Sequence, residues 1–314
     1  MSFASEVKNE VTRLELDANS KKAELCAIIK LLSAVRFSRE GMSLSIRSKN
    51  AAVIRMVSGH ISDLYGIRPG LGAIKETGFS KGNIYALVID EKVREILEDL
   101  DLWTASGLQQ HPRMKFLYND TMVRAYLTGC FLATGSVNDP TQTSYHLEIA
   151  VSEENHAQFI ARLMGRFYLN ARVAKRRGQY VVYIKAAEQI ADFLRLMGAS
   201  NAVFSFEDVR IQRDFVNNLS RLNNCEIAND TKSLETAHKQ YLAVEDLIKK
   251  GHLVKLSEKD QEIALLRYEN PDASLLELSE LYEERTGTIL SKSGVRHRFT
   301  KIMELAEKYG SRQA

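Results

Sequence analysis

Near the carboxy end of the chain, Lys292, Arg296, His297, Arg298 and Lys301 fall within one stretch, "SKSGVRHRFTK", and no acidic residue follows until Glu304. Cations at this density attract phosphate, and an arginine fork can also read the O6 and N7 acceptors of guanine. The chemistry on offer is recognition of nucleic acid, not bond making. A second stretch, "LTGCFLATG" at 127–135, has the shape for a different chemistry and lacks the means. A hard divalent cation placed for phosphoryl transfer requires anionic oxygen, and this stretch supplies none up to its carboxy end. Thr134 stands at that end, and its hydroxyl carries no charge.

The helices that must carry the basic stretch are legible from their caps. In 256–309, Ser257 opens a first helix with Asp260 three positions on, Ser274 opens a second after "NPDAS", and Ser291 opens a third. On the third, Val295, Phe299, Ile302, Met303 and Ala306 share one face, which must be buried against the other two. The opposite arc carries Ser293, His297, Thr300 and Lys301, flanked by Lys292, Arg296 and Arg298. This is a helix-turn-helix layout over about 274–308, with a DNA-reading surface of Ser291, Lys292, Ser293, Arg296, His297, Arg298 and Lys301. The turn "RTGTIL" is longer than the basic motif uses, and acids balance bases over 251–314, so the charge is local to one helix.

The first two thirds of the chain contain a repeat. Periodicity predicts a helix from about Ser20 to Val35, the strand "MSLSIRS", a helix over 51–65, the strand "NIYALVID" and a helix over 91–100. After a linker around "GLQQHPR" the order returns: a helix over 120–133, the strand "YHLEIAV", a helix over 154–168, the strands "ARVAKRR" and "QYVVYIK", and a helix over 187–197. The segment from Leu44 lies on that from Leu147 without a gap, and the segment from Tyr85 lies on that from Tyr180. Repetition at so long a period predicts two copies of one αββαββα unit related by a pseudo-two-fold axis. Gly129 and Ala133 lie on one face of the second opening helix, where small residues let two backbones approach. The first copy keeps Ala27 but has Leu31 in place of Ala133, so the packing there must be asymmetric.

"LTGCFLATGSV" resembles the LAGLIDADG motif of homing endonucleases in its leucine, both glycines, its alanine and the following serine. The resemblance implies a pair of such helices at the pseudo-dyad, with an acidic residue ending each and holding a metal for strand cleavage. Those positions are Leu32 and Thr134, and neither supplies a carboxylate. The metal site should be absent, and no cofactor is expected. Asp139 is the nearby rescue, yet Phe37 is its counterpart in the first copy, and "VNDP" reads as an Asx/Pro turn closing the helix.

The remaining features are permissive. Hydrophobic residues at 45% and charged residues at 26% describe an ordinary globular chain, and a net charge of +3 is too small to name a partner. Cys26, Cys130 and Cys225 lack metal-site spacing and read as small buried apolar residues in a reducing cytosol. The charged amino terminus is no export signal, and no apolar run spans a bilayer, which predicts a cytoplasmic, nucleoid-associated protein with no membrane partner. The asparagine-rich 206–250 reads as a solvated helical connector.

The degenerate LAGLIDADG pair, the "LNNCEIAN" connector and the closing "LSKSGVRHRF" helix together resemble the WhiA family of Gram-positive bacteria over essentially the whole chain. The resemblance implies a DNA-binding regulator linked to cell division, chromosome segregation and, in spore-forming relatives, sporulation. It also implies a carboxy-terminal unit similar to region 4 of sigma factors. The expected fold is therefore α+β: a duplicated LAGLIDADG-like saddle (1–105 and 106–205), a connector (206–250) and an all-α helix-turn-helix domain (251–314). The expected partner is double-stranded DNA, with no small-molecule substrate and no enzymatic activity. Arg47, Lys49, Arg172, Lys175, Arg176 and Arg177 on saddle strands suit either a DNA backbone or a protein such as a sigma factor, RNA polymerase or another regulator; strand charges also serve to block edge pairing. Two competitors stand beside this reading. One is a metal-dependent endonuclease or nickase using Glu148 or Asp139, and the other is an adaptor whose helix-turn-helix binds only protein.

Overall fold

The computed structural model describes residues 2–39, 41–75 and 83–309. The chain divides into two compact units, Met1–Arg213 and Asp214–Ala314.

In the first unit α1 (Phe3–Val11) precedes the first copy of the repeat. That copy runs α2 (Ala18–Leu32), β1 (Ser33–Ser38), β2 (Gly41–Ser48), α3 (Ala51–Tyr65), β3 (Gly70–Lys75), β4 (Asn83–Ile89) and α4 (Val93–Asp99). A two-residue hairpin, β5 (Trp103–Thr104) and β6 (Gly107–Leu108), leads to the second copy. There follow α5 (Asp120–Thr134), β7 (Gly135–Val137), β8 (Leu147–Val151), α6 (Glu154–Gly165), β9 (Arg172–Arg176), β10 (Gln179–Ile184) and α7 (Ala187–Leu196). Both sheets are antiparallel with the same strand order, β1-β2-β4-β3 and β7-β8-β10-β9. The register agrees as well: Leu44 faces Ile89 as Leu147 faces Ile184, and Ile46 faces Leu87 as Ile149 faces Val182. The ungapped match of the two segments is thus an equivalence in space.

Local chemistry explains the helix starts. Asp17 accepts from the Asn19 and Ser20 amides, Asn50 from Ala52 and Val53, and Asn119 from Met122, each satisfying amides that the first turn leaves unpaired. The ends differ from expectation. The helix predicted to reach Val35 stops at Leu32, because Ser33 is already extended (φ −89°, ψ 150°) and residues 33–38 pair along β2. The second copy does the same at Gly135 (φ −71°, ψ 149°), so the "VNDP" turn follows β7 and does not close the helix. Asp139 nevertheless accepts from the amide and hydroxyl of Thr141, as an Asx turn does.

The helices α2 and α5 pack on one another at the centre of the unit, burying Leu25, Ile28, Ile29, Leu127, Cys130 and Phe131. Each such side chain stabilises the fold by roughly 1.5–3 kcal/mol relative to exposure. Gly129 makes this contact close: a Cβ there would lie 2.9 Å from that of Ala27 and closer still to the Glu24 carbonyl oxygen. Ala27 and Gly129 are the equivalent residues of the two helices, so the pseudo-axis passes where two small residues meet. Cys26 and Cys130 are buried there as expected, whereas Cys225 is exposed on the connector, where no core is present to cover it.

The connector is part of one helix, α8 (Ser200–Lys249), which exposes Phe215, Leu219 and Leu222 among its asparagines and charges. In the second unit Val244 and Leu247 of α8 join a core with α9 (Glu258–Glu269), α10 (Leu275–Thr286) and α11 (Lys292–Tyr309). Among the described residues, no helix is long and apolar enough to cross a membrane.

Candidate nucleic-acid interface

The three capping serines work as read. Ser257 accepts from the Asp260 amide, Ser274 forms a reciprocal box with Glu277, and Ser291 accepts from the Gly294 amide at 3.2 Å. The turn between α10 and α11 opens on Gly287 in the left-handed region and is tied down where the Ser279 hydroxyl donates to the Leu290 carbonyl. Val295, Phe299, Ile302 and Ala306 are buried and Met303 is half-buried, so the predicted inner face is the observed one.

The outer arc exposes Lys292, Ser293, Arg296, His297, Thr300 and Lys301 along with the capping Ser291. Arg298 does not join them. Its guanidinium donates to the Asp260 carboxylate at 2.8 Å, and that carboxylate is nearly buried. Burial works to raise the Asp260 carboxyl, but hydrogen bonds from Ser257 and Arg298 outweigh it and hold it below the ordinary range. Arg298 therefore ties α11 to α9, and its position two residues after Arg296 turns it to the other side of the helix. A cleft of about 1000 Å³ runs beside this arc, with Lys292, Ser293, Arg296 and Thr300 on one wall and Asn229, Lys232 and Thr236 of α8 on the other.

One buried residue of this unit escaped the sequence reading. Arg267 on α9 is 1% exposed, donates to the carbonyls of Asn270, Pro271 and Ala273 and to Gln240, and lies 5.5 Å from the Phe299 ring centre. Burial draws its guanidinium down to about 10. It satisfies the carbonyls that close α9 and braces the turn before α10. An arginine on a charged helix gives no sequence signal for such a role.

The strand cations fall into separate groups. Arg172, Lys175, Arg176 and Arg177 lie on or beside β9, an edge strand, and Arg177 and Gly178 (φ 47° and 81°) make the tight hairpin turn to β10. Lys175 stands 5.5 Å from the Tyr180 ring centre and Arg176 5.9 Å from that of Tyr183, with Glu148 3.8 Å from Arg176. Arg47 and Lys49 instead line a cleft about 1170 Å³ in volume, together with Leu32, residues of α1 and Ser136 of the second copy.

The two places where the fold would carry metal-binding acids do not fit a divalent cation. Leu32 has no donor atom, and the Thr134 hydroxyl is buried without a hydrogen-bond partner. Glu148 accepts from His146 at 2.9 Å, Asp139 is held in its turn, and no three His, Cys, Asp or Glu side chains converge among the described residues.

Comparison with known proteins agrees with this geometry. Residues 18–103 match the model of the WhiA N-terminal LAGLIDADG-like domain, 123–216 the WhiA LAGLIDADG-like domain and 219–306 the WhiA C-terminal HTH domain. A protein of Oceanobacillus iheyensis is 41% identical over 309 residues, covering 98% of both chains, and one of Enterococcus faecalis is 40% identical over 314 residues, covering all of both; each is named probable cell division protein WhiA. The solved structure of full-length DUF199/WhiA from Thermatoga maritima shares the fold at a TM-score of 0.57 and 20% identity, over 99% of this chain and 100% of that one. With a duplicated saddle that lacks the acids at Leu32 and Thr134, a capped helix-turn-helix later in the sequence, and relatives aligned from end to end, the chain belongs to the WhiA family.

Proposed function

We propose that this protein is a sequence-specific binder of double-stranded DNA that regulates transcription in cell division and chromosome segregation, and that it does not cut DNA. The observation that carries the reading is the exposed arc Lys292, Ser293, Arg296, His297 and Lys301 on a capped, well-packed helix with no acid among them. Such a helix places its amino-terminal side chains against base edges in the major groove while lysines meet phosphate. Arg298 acts from behind by fixing α11 on α9.

The test is selection of a bound sequence from random duplexes, followed by footprinting and a salt titration. A protected segment whose affinity falls steeply with salt supports the reading. Absence of any protected segment would favour the protein-binding adaptor instead. Plasmid incubated with the protein and magnesium or manganese should remain supercoiled; nicking would restore the nuclease reading. In cells, a fluorescent fusion should follow the nucleoid.

The basic edge strand β9 supports a second contact. Arg172, Lys175 and Arg177 are exposed along it, and two of its cations lie against tyrosine rings. A DNA backbone and an acidic surface of a sigma factor or RNA polymerase both suit this edge. Substituting these residues would lower DNA affinity in the first case and, in the second, leave it unchanged while weakening capture of the polymerase.

A further inference from the structure

The cleft beside Leu32 has properties that neither a vestigial nuclease nor a helix-turn-helix requires. Cations reach it from several elements: Lys8 from α1, Arg13 from the segment after it, Arg47 from β2, Lys49 just beyond that strand, and Arg55 from α3. Among the described residues, no carboxylate lines it. Lys8, Arg13, Arg47 and Arg55 form no ion pair among the described residues, although ion pairs engage many other cations of this unit, including Lys21, Lys22, Lys30, Arg113 and Arg166. Burial draws the Lys8 ammonium down to about 8, which records the cost of holding a cation in that wall without a counter-charge.

The repeat supplies an internal control. Arg47, Lys49 and Arg55 correspond to Ala150, Ser152 and Gln158 at the same register in the second copy. The fold does not need cations at these positions, since its other half has none. Accumulating like charges in one concavity is unfavourable unless something anionic enters.

We propose that this cleft binds a small molecule carrying a diphosphate or triphosphate, with Lys8, Arg13, Arg47 and Arg55 as its counter-charges. The number of unpaired cations matches such a group better than a monophosphate. The volume is of the order of a small-ligand site. The helix α1, packed on α3 and β7, forms one wall of the cleft. Serine hydroxyls at Ser5, Ser48 and Ser136 line it as further hydrogen-bond donors, and Met56 and Tyr85 offer an apolar wall to the rest of the molecule. The ligand is bound, not transformed. The inference rests on the cleft alone and stands or falls apart from the DNA reading.

Isothermal titration of the full chain tests it with inorganic pyrophosphate, ATP without metal, and adenosine. Pyrophosphate and ATP should bind with a Kd below about 1 mM and adenosine should not. The double substitution Arg47→Ala/Arg55→Gln, which installs the second copy's own residues, should weaken ATP by about tenfold or more while leaving the thermal unfolding midpoint in place. Lys8→Met is a second variant with the same expectation. The proposal is overturned if neither phosphate compound binds, or if both bind the variants as well as the parent. It is also overturned if the substitutions weaken a short DNA duplex and not ATP, which would make the cleft part of a DNA path.

Discussion

The two halves of the first unit share a strand order, a register and a central helix pair, yet their polar chemistry is almost opposite. In the first copy the helix α2 buries Glu24, whose carboxylate meets His60 at 2.9 Å. In the second, α5 buries Tyr126, whose hydroxyl shares a 2.8 Å hydrogen bond with His156. The first copy gathers its cations in a cleft and the second displays them along an edge strand. The fold is therefore specified by what the halves have in common: apolar alternation on β2 and β8, small residues at the axis, and polar caps. Everything that differs is free to carry function.

The largest effect should come at the axis, where the halves touch. Gly129→Val drives a branched side chain into the Glu24 backbone and Ala27, and should destabilise the first unit by about 3 kcal/mol in denaturant unfolding. The equivalent Ala27→Gly should cost about 1 kcal/mol, because it removes only a methyl and adds backbone entropy. Equal costs would mean that the helices do not meet asymmetrically.

Titration sharpens the contrast between the two buried pairs. Burial, with help from the charges of Lys30 and His111, lowers His156 to about 3, so below pH 6.5 the unfolded chain takes up a proton that the folded one refuses. Stability then falls with acid, by about 1.4 kcal/mol per pH unit, or roughly 2 kcal/mol between pH 6.5 and 5. Glu24 behaves in the opposite sense. Burial raises its carboxyl despite the His60 hydrogen bond, so its contribution is present at acid pH and is lost as pH rises above the ordinary glutamate range. Unfolding midpoints against pH for His156→Phe and Glu24→Gln should each flatten one limb of the profile; if both flatten the same limb, the opposition is wrong.

A second comparison lies within one helix. Arg298→Ala leaves the nearly buried Asp260 without its cation and should destabilise the second unit by about 2 kcal/mol, read by thermal unfolding. Arg296→Ala should leave stability unchanged. If Arg296 reads a base it should cost about 1–3 kcal/mol at one position of the selected site; as a phosphate contact it would weaken all sequences alike and lower the salt slope by about one. The smallest expected effect is on Cys225, which is exposed on α8: Cys225→Ser should change neither stability nor binding by more than about 0.5 kcal/mol.

Much of this protein is written locally in its sequence. The repeat, the capped helices of the second unit, the inner face of α11 and the missing acids at Leu32 and Thr134 depend on residue type and short spacing, and all were legible there. The pairing of side chains was not. Arg298 finds a partner 38 positions away, Arg267 closes on carbonyls and on a glutamine of another helix, and Lys8, Arg13 and Arg55 meet Arg47 only because α1 folds back beside α3. Periodicity and capping act over a few residues, and a chain records them in order. Which charges end up neutralised and which are left facing an open cleft depends on distances that only the packed tertiary structure sets.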